Sequence, residues 1–173
     1  MKLAPYSYKA AYERVAELIG YPVERSTRIF AIEGLPSAGK SSLASWLAWQ
    51  FGMPAVHLDL FLIPGDIGKI AWRESEIAEA IKGRVESKRS PLIVEGVFSF
   101  AVLERLGLAP DLKILVENLN NISDDPLVDM TRARCQDPQF LKSVDLTVRW
   151  SDPMSTAEEA KLAFQTSLES WRP

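Results

Sequence analysis

The feature that most constrains this chain is a short glycine-containing stretch, Gly34-Leu-Pro-Ser-Ala-Gly-Lys-Ser41. It follows the spacing G-x-x-x-x-G-K-[ST] without a gap. The run from Arg28 to Glu33 before it is apolar, as is typical of a buried parallel strand. Residues 41–51 after it have helical composition and stop at a glycine. A strand, a tight loop and a helix in this order predict a loop that binds phosphate groups.

The physical chemistry of phosphate binding explains the residue types of this stretch. Several backbone N–H groups must point at phosphate oxygens, and glycine permits the curvature and the close approach that this requires. The helix that follows adds its free N–H groups and the positive end of its dipole. Lys40 is expected to reach the β- and γ-phosphates of a nucleotide, and the Ser41 hydroxyl to bind Mg²⁺. The predicted phosphate-binding residues are Gly34, Pro36, Ser37, Ala38, Gly39, Lys40, Ser41 and Ser42.

The rest of the chain alternates short apolar runs with helical patterns. Such alternation predicts βαβ units and a parallel sheet with helices on both faces. The predicted fold is therefore α/β, a three-layer α/β/α sandwich around a mostly parallel five-stranded sheet. The predicted strands are 28–33, 55–60, 91–95, 111–116 and 144–148, and the predicted helices are 6–19, 41–51, 74–87, 101–106, 128–135 and 155–170.

Length and composition exclude several classes of protein. A chain of 173 residues favours one domain over 1–173, with an N-terminal helical extension over 1–27 and a lid-like segment over about 123–140. The net charge of −3 and the absence of a Lys/Arg cluster argue against nucleic acid as the primary partner. No apolar run reaches the roughly 18 residues of a membrane span. With a single cysteine and no signal-peptide pattern, the expected compartment is the cytoplasm.

Two acidic residues fall at the ends of predicted strands. Ligands of open parallel sheets bind beyond the carboxyl ends of the strands. Asp59 lies near the end of the second strand, and Glu95 ends the third. A carboxylate beside the γ-phosphate can accept the proton of an attacking hydroxyl, and Asp59 is the candidate for this role. Glu95 is the candidate for holding Mg²⁺, directly or through water.

Three stretches, taken together in order, resemble the uridine kinase and phosphoribulokinase branch of the P-loop kinases. They are Ile32-Glu-Gly-Leu-Pro-Ser-Ala-Gly-Lys-Ser-Ser42, Val56-His-Leu-Asp-Leu-Phe61 and Leu92-Ile-Val-Glu-Gly-Val97. The resemblance covers residues 28–137. It implies that ATP donates its γ-phosphate to a hydroxyl of a small molecule, such as a nucleoside, with Asp59 as the base and Glu95 at the metal and phosphate site.

The chain departs from the family pattern on the acceptor and lid sides. Leu60 and Leu62 stand where many members have polar or aromatic residues, so the acceptor pocket is expected to be more apolar or differently shaped. The arginine-rich lid of the family is reduced to Arg132-Ala-Arg134, two catalytic candidates that suit charge stabilisation on the transferring phosphoryl group. After Asp59, the candidate acceptor-binding residues are Phe61, Trp72 and Arg73.

The leading functional hypothesis is an ATP-dependent kinase for a small hydroxyl-bearing acceptor, with Mg²⁺. Three alternatives stay open: a regulatory NTPase switch, a kinase for an antibiotic or a sugar-type acceptor, and a binding module without catalysis. No Asn-Lys-x-Asp string occurs, which argues against a GTP-specific switch. The intact set of Lys40, Ser41 and Asp59 argues against a module without catalysis.

Overall fold

The computed structural model describes residues 8–19, 28–63, 70–86, 91–119 and 127–150. The predicted last helix, 155–170, lies outside the described residues. Six α-helices, seven strands and a 3₁₀ turn make up the described part. They are α1 Tyr8–Ile19, β1 Ile29–Gly34, α2 Lys40–Phe51, β2 Ala55–His57, the 3₁₀ turn Leu58–Phe61, β3 Leu62–Ile63, β4 Ala71–Trp72, α3 Glu74–Glu86, β5 Leu92–Glu95, α4 Ser99–Arg105, β6 Leu112–Asn118, α5 Leu127–Cys135, α6 Pro138–Lys142 and β7 Leu146–Trp150.

Five strands form one parallel sheet in the order β2-β5-β1-β6-β7. All residues of the central strand β1 are buried, as are those of its neighbour β5. Strands covered on both faces need apolar side chains on both faces, which explains the continuous apolar runs in the sequence. The predicted α/β class and the five-stranded parallel sheet are confirmed.

The two faces of the sheet bury separate hydrophobic clusters. Phe30 and Ile32 of β1 pack with α1 and α2 on one face. Ile29 and Ala31 pack with α3, α4 and α6 on the other. The chain therefore leaves β1 toward one face and leaves β5 toward the opposite face. Because these two strands are neighbours, a crevice opens between their carboxyl ends, where ligands of such sheets bind.

The second predicted strand, 55–60, is wrong beyond residue 57. The chain turns there into the 3₁₀ segment, and after buried Leu58 both Asp59 and Leu60 are exposed, so the alternation of a strand is lost. The short antiparallel pair β3–β4 follows, between Leu62–Ile63 and Ala71–Trp72. The consequence is that Asp59 lies on a turn beyond the sheet edge.

Other boundaries differ by small amounts. The last strand of the sheet runs over Leu146–Trp150, two residues later than predicted. The short helix α6 was not predicted; Asp137 caps it by accepting from the Gln139 amide, and Pro138 stands at its first turn. No helix in the described ranges is long and apolar enough to cross a bilayer.

Candidate active site

The phosphate loop, residues 34–42, joins β1 to α2. Gly39 immediately precedes the first residue of α2 and has φ 91°, a left-handed conformation that favours glycine. Ser37 also has a positive φ of 58°, which is uncommon outside glycine and marks a tightly curved loop. The loop therefore ends directly at the N-terminus of α2. Free N–H groups at a helix start form an anion-binding site.

A cavity of about 520 Å³ lies over this loop. Lys40 and Asp59, which are predicted from different segments, both line it. It is bounded by Pro36, Ser37, Gly39, Lys40, Ser41, Ser42, Asp59, Leu62, Val97, Leu127 and Trp150. Gly34 ends β1 beneath the loop, and Ala38 is fully buried. The structure therefore places Lys40, predicted to bind the nucleotide, and Asp59, predicted to bind the phosphoryl acceptor, in the wall of one cavity.

Lys40 is the charged group of the loop and is only 6% exposed. Its Nζ donates to the carbonyl oxygen of Leu35 at 2.8 Å. Burial lowers the pKa of Lys40 from its ordinary value, and the negative charges of Glu95 and Asp59 oppose this shift. A buried cation that lies near two carboxylates at a helix start is suited to an anionic ligand.

Glu95 is fully buried at the end of β5 and is held through one oxygen. Its Oε1 accepts from Ser41 Oγ at 2.9 Å and lies 2.6 Å from Nδ1 of His57. Its Oε2 is buried and has no hydrogen-bond partner within the described part of the chain. Such an orphaned carboxylate oxygen is uncommon in a folded interior. Ser41 lines the cavity and Glu95 lies directly behind it, so the hydroxyl and the carboxylate together supply hard oxygen atoms of the kind that bind Mg²⁺.

The described residues contain no cluster of three or more His, Cys, Asp or Glu side chains that could hold a metal ion.

Trp150, which sequence analysis did not single out, packs against the loop at Ala38 and Gly39. Its indole Nε1 donates to the carbonyl oxygen of Ala38 at 2.7 Å. Its ring covers Gly39 so closely that a Cβ there would lie 2.8 Å from the ring. The one usable signal is its position at the end of β7, since all parallel strands end at the same edge of the sheet.

Arg132 and Arg134, which were predicted to belong to a lid, both lie on α5 and have different surroundings. Arg134 Nε donates to Glu33 Oε1 at 2.6 Å, and its guanidinium lies 4.8 Å from the centre of the Phe140 ring. Arg132 is half exposed and pairs at 3.3 Å with Asp129, which is 93% exposed. Neither arginine lines the cavity over the phosphate loop.

Glu33, the partner of Arg134, is a second residue that sequence analysis missed. It is 2% exposed, directly before the loop, and also accepts from the Phe100 amide at 2.8 Å. Burial raises the pKa of the Glu33 carboxyl, while Arg134 and the Phe100 amide pull it down. An acid inside an otherwise apolar strand was the available signal.

The predicted acceptor residues other than Asp59 lie beside the cavity rather than in its wall. Arg73 donates to the Leu60 carbonyl and pairs with Glu76 at 3.3 Å. The Trp72 ring meets Phe98 edge-on, with ring centres 6.3 Å apart. Phe61 packs against the same hydrophobic cluster as Trp72. Phe61 and Trp72 therefore pack against the hydrophobic cluster that contains residues of α3 and α4, whereas Arg73 is about half exposed.

Comparison with solved structures identifies the fold. A protein described as a possible uridine kinase from Bacillus stearothermophilus superposes with a TM-score of 0.55 and 13% identity, covering 82% of this chain and 96% of that one. A gluconokinase from Sinorhizobium meliloti 1021 gives a TM-score of 0.50 and 16% identity, covering 84% and 98%. No family model and no curated protein matches the sequence. The chain has the fold of these two proteins, which agrees with the fold that the sequence resemblance predicted.

Proposed function

We propose that this protein is an ATP-dependent kinase that transfers the γ-phosphate to a hydroxyl group of a small molecule. One observation carries the proposal: Lys40, which suits the phosphates, and Asp59, which suits an acceptor hydroxyl, line the same cavity. Phosphoryl transfer requires a donor and an acceptor to be held in line at such a place.

The roles of the residues follow from their positions. The loop amides and Lys40 hold the β- and γ-phosphates, and the acceptor hydroxyl lies at Asp59. Asp59 takes the hydroxyl proton while the acceptor oxygen bonds to the γ-phosphorus. The bond from that phosphorus to the β–γ bridging oxygen breaks, and ADP leaves.

Ser41 Oγ and Glu95 Oε2 would hold Mg²⁺, which neutralises charge on the phosphates when bound. Arg132 is the better of the two lid candidates for the transferring phosphoryl group, because its only described partner, Asp129, is a solvent-exposed carboxylate. Exposed ion pairs of this kind are weak and exchange easily. Arg134 is instead committed to buried Glu33.

The acceptor we propose is a nucleoside or a similar hydroxyl-bearing metabolite. Two observations support this class: the sequence resemblance to the uridine kinase branch, and the apolar residues that share the cavity wall with Asp59. Leu62 and Val97 stand in that wall, and Trp72 pairs with Leu62 between β3 and β4. Apolar and aromatic side chains suit a planar ring better than a second phosphate group.

The test is ADP formation from Mg·ATP, with and without a panel of nucleosides, pantothenate, sugars and sugar phosphates. Asp59→Asn is assayed beside the wild type, and Glu79→Gln, at a solvent-exposed position of α3, is the matched control. We expect acceptor-dependent ADP formation that falls by about 10²–10⁴-fold in Asp59→Asn, the range for loss of a general base. The control should equal the wild type. A slow rate of ADP formation that no acceptor raises and that Asp59→Asn leaves unchanged would contradict the kinase proposal and favour a regulatory ATPase.

A further inference from the structure

His57 is a partly buried histidine that has no role in the proposed reaction. It ends β2, in direct register with Glu95 at the end of β5. Its Nδ1 lies 2.6 Å from Glu95 Oε1, and the two side chains are 31% and 0% exposed. The pair therefore meets at the edge of the sheet where the phosphate loop lies.

The short contact fits the tautomer of His57 that carries its proton on Nδ1, because an ionised carboxylate only accepts hydrogen bonds. Ser41 Oγ donates to the same oxygen at 2.9 Å. In this tautomer Oε1 of Glu95 accepts from two donors, whereas the buried Oε2 has no hydrogen-bond partner among the residues that the structure describes.

We propose that His57 is the positioning residue of the magnesium site: its Nδ1–H holds Glu95 by Oε1 and keeps Oε2 turned toward the cation. The inference rests on the proposed function, because it concerns the same site. Partners of this kind orient metal ligands, and their loss commonly costs about 10–100-fold in metal affinity. Without His57, the Glu95 carboxylate could rotate, and Ser41 would have to satisfy it alone.

The experiment separates positioning from simple structural support. ADP affinity is measured by calorimetry in EDTA and across a MgCl₂ titration, for wild type and three variants. His57→Val suits a strand and removes the donor. His57→Ala is a second donor-free variant. His57→Asn retains an N–H donor on the atom that corresponds to Nδ1.

We expect the donor-free variants to need about 10–100-fold more Mg²⁺ for half-saturation, at unchanged ADP affinity in EDTA. His57→Asn should stay close to the wild type. An unshifted Mg²⁺ requirement in the donor-free variants, or an equal shift in His57→Asn, would overturn the positioning role. So would failure of both donor-free variants to fold in urea-unfolding controls, which would make His57 a structural residue.

The same data separate this inference from the proposed function. If the wild type shows acceptor-dependent ADP formation and a magnesium effect, but the variants match it, only the role of His57 fails. If Mg²⁺ does not change ADP binding by the wild type, the metal site and the role of His57 both fail. Wild-type magnesium dependence without any acceptor-dependent turnover would count against the kinase while leaving the positioning of Glu95 supported by the variants.

Discussion

The two sides of the candidate site are built in different ways. The phosphate side is one continuous segment, residues 34–42, whose backbone passes directly from β1 into α2. The acceptor side collects single residues from the 3₁₀ turn, β4 and α5. All the predicted phosphate-side residues lie in or directly beneath the loop, whereas Asp59 is the only one of the predicted acceptor-binding residues that lines the cavity. The geometry of a contiguous motif is set by its own backbone, whereas the contacts of side chains far apart in sequence are set by the packing of the folded chain.

We therefore expect substitutions in residues 34–42 to change ligand affinity and kcat, and substitution of Arg134 to change the free energy of unfolding. Among the substitutions that test this comparison, Lys40→Met is expected to have the largest effect: it should lower kcat by about 10²–10³-fold, the range for loss of a group that stabilises transition-state charge. Stability should be equal or higher, because burial disfavours the charged amine, as its lowered pKa indicates. ADP formation and urea unfolding measure the two effects. Lys82→Met, on exposed α3, is the control, and a large loss of stability in Lys40→Met would contradict the comparison.

Gly39→Ala tests the geometry of the loop itself. The new Cβ would lie 2.8 Å from the Trp150 ring, at a φ of +91°. We expect ADP affinity, measured by calorimetry, to weaken by about 10²-fold, because the strain falls in the loop that we propose binds the phosphates. Gly52→Ala is the matched control: it shares a positive φ of +59°, but a Cβ there meets nothing within 4 Å. It should lose about 1–2 kcal/mol of stability and retain ADP affinity. Equal affinity losses in both would show that the contact with Trp150 is unimportant.

Arg134→Met and Arg132→Met test whether the two lid arginines are equivalent. Loss of Arg134 leaves Glu33 buried and unpaired, which should cost about 3 kcal/mol in urea unfolding. Loss of exposed Arg132 should change stability by less than about 0.5 kcal/mol. Similar stability for the two variants would contradict the anchoring role of Arg134.

The Arg134→Met variant should also respond to pH in a defined direction. The pKa of Glu33 is already raised by burial in the folded protein. The folded state therefore binds more protons than the unfolded state between the ordinary Glu pKa and the raised one, so stability falls as pH rises through this window. Without Arg134 the window widens, and the destabilisation should shrink as pH is lowered toward the ordinary value. Urea unfolding at several pH values measures this.

Of the substitutions that affect the loop, Trp150→Phe is expected to have the smallest effect, because it keeps a ring over Gly39 and loses only the hydrogen bond to the Ala38 carbonyl. We expect a loss of about 1 kcal/mol, or about fivefold, seen in stability or ADP affinity. Trp49→Phe, at a tryptophan that is 67% exposed on α2, should change neither. A wild-type result for Trp150→Phe would show that the loop holds its shape without this brace.

The fold was largely predictable because its signals are local. Apolar runs covered on both faces, broken by helical patterns, are enough to indicate a parallel sheet, and all five of its strands were found. The errors occur where local pattern is ambiguous. Leu58 and Leu60 look like strand residues, but Leu60 is 69% exposed, because the chain has already turned away from the sheet.

The residues of the site that are contiguous in sequence could be predicted, whereas the side-chain contacts between separate segments could not. The phosphate loop needs only its own residues, since glycine conformations and a helix start are properties of the local chain. Arg132 and Arg134 are two positions apart and look alike in sequence. The structure distinguishes them, because Arg134 meets Glu33, 101 positions away, whereas Arg132 meets its neighbour Asp129.

By itself, the sequence determined the class of fold, the position of the phosphate loop and the two acids at the sheet edge, because each depends on residues close together in the chain. Only the tertiary structure decided that Trp150 covers Gly39, that Arg134 anchors α5 to Glu33, and that His57 and Ser41 share one oxygen of Glu95. Those contacts join strands and helices far apart in sequence. Their partners are selected by the packing of the sheet, which no local pattern encodes.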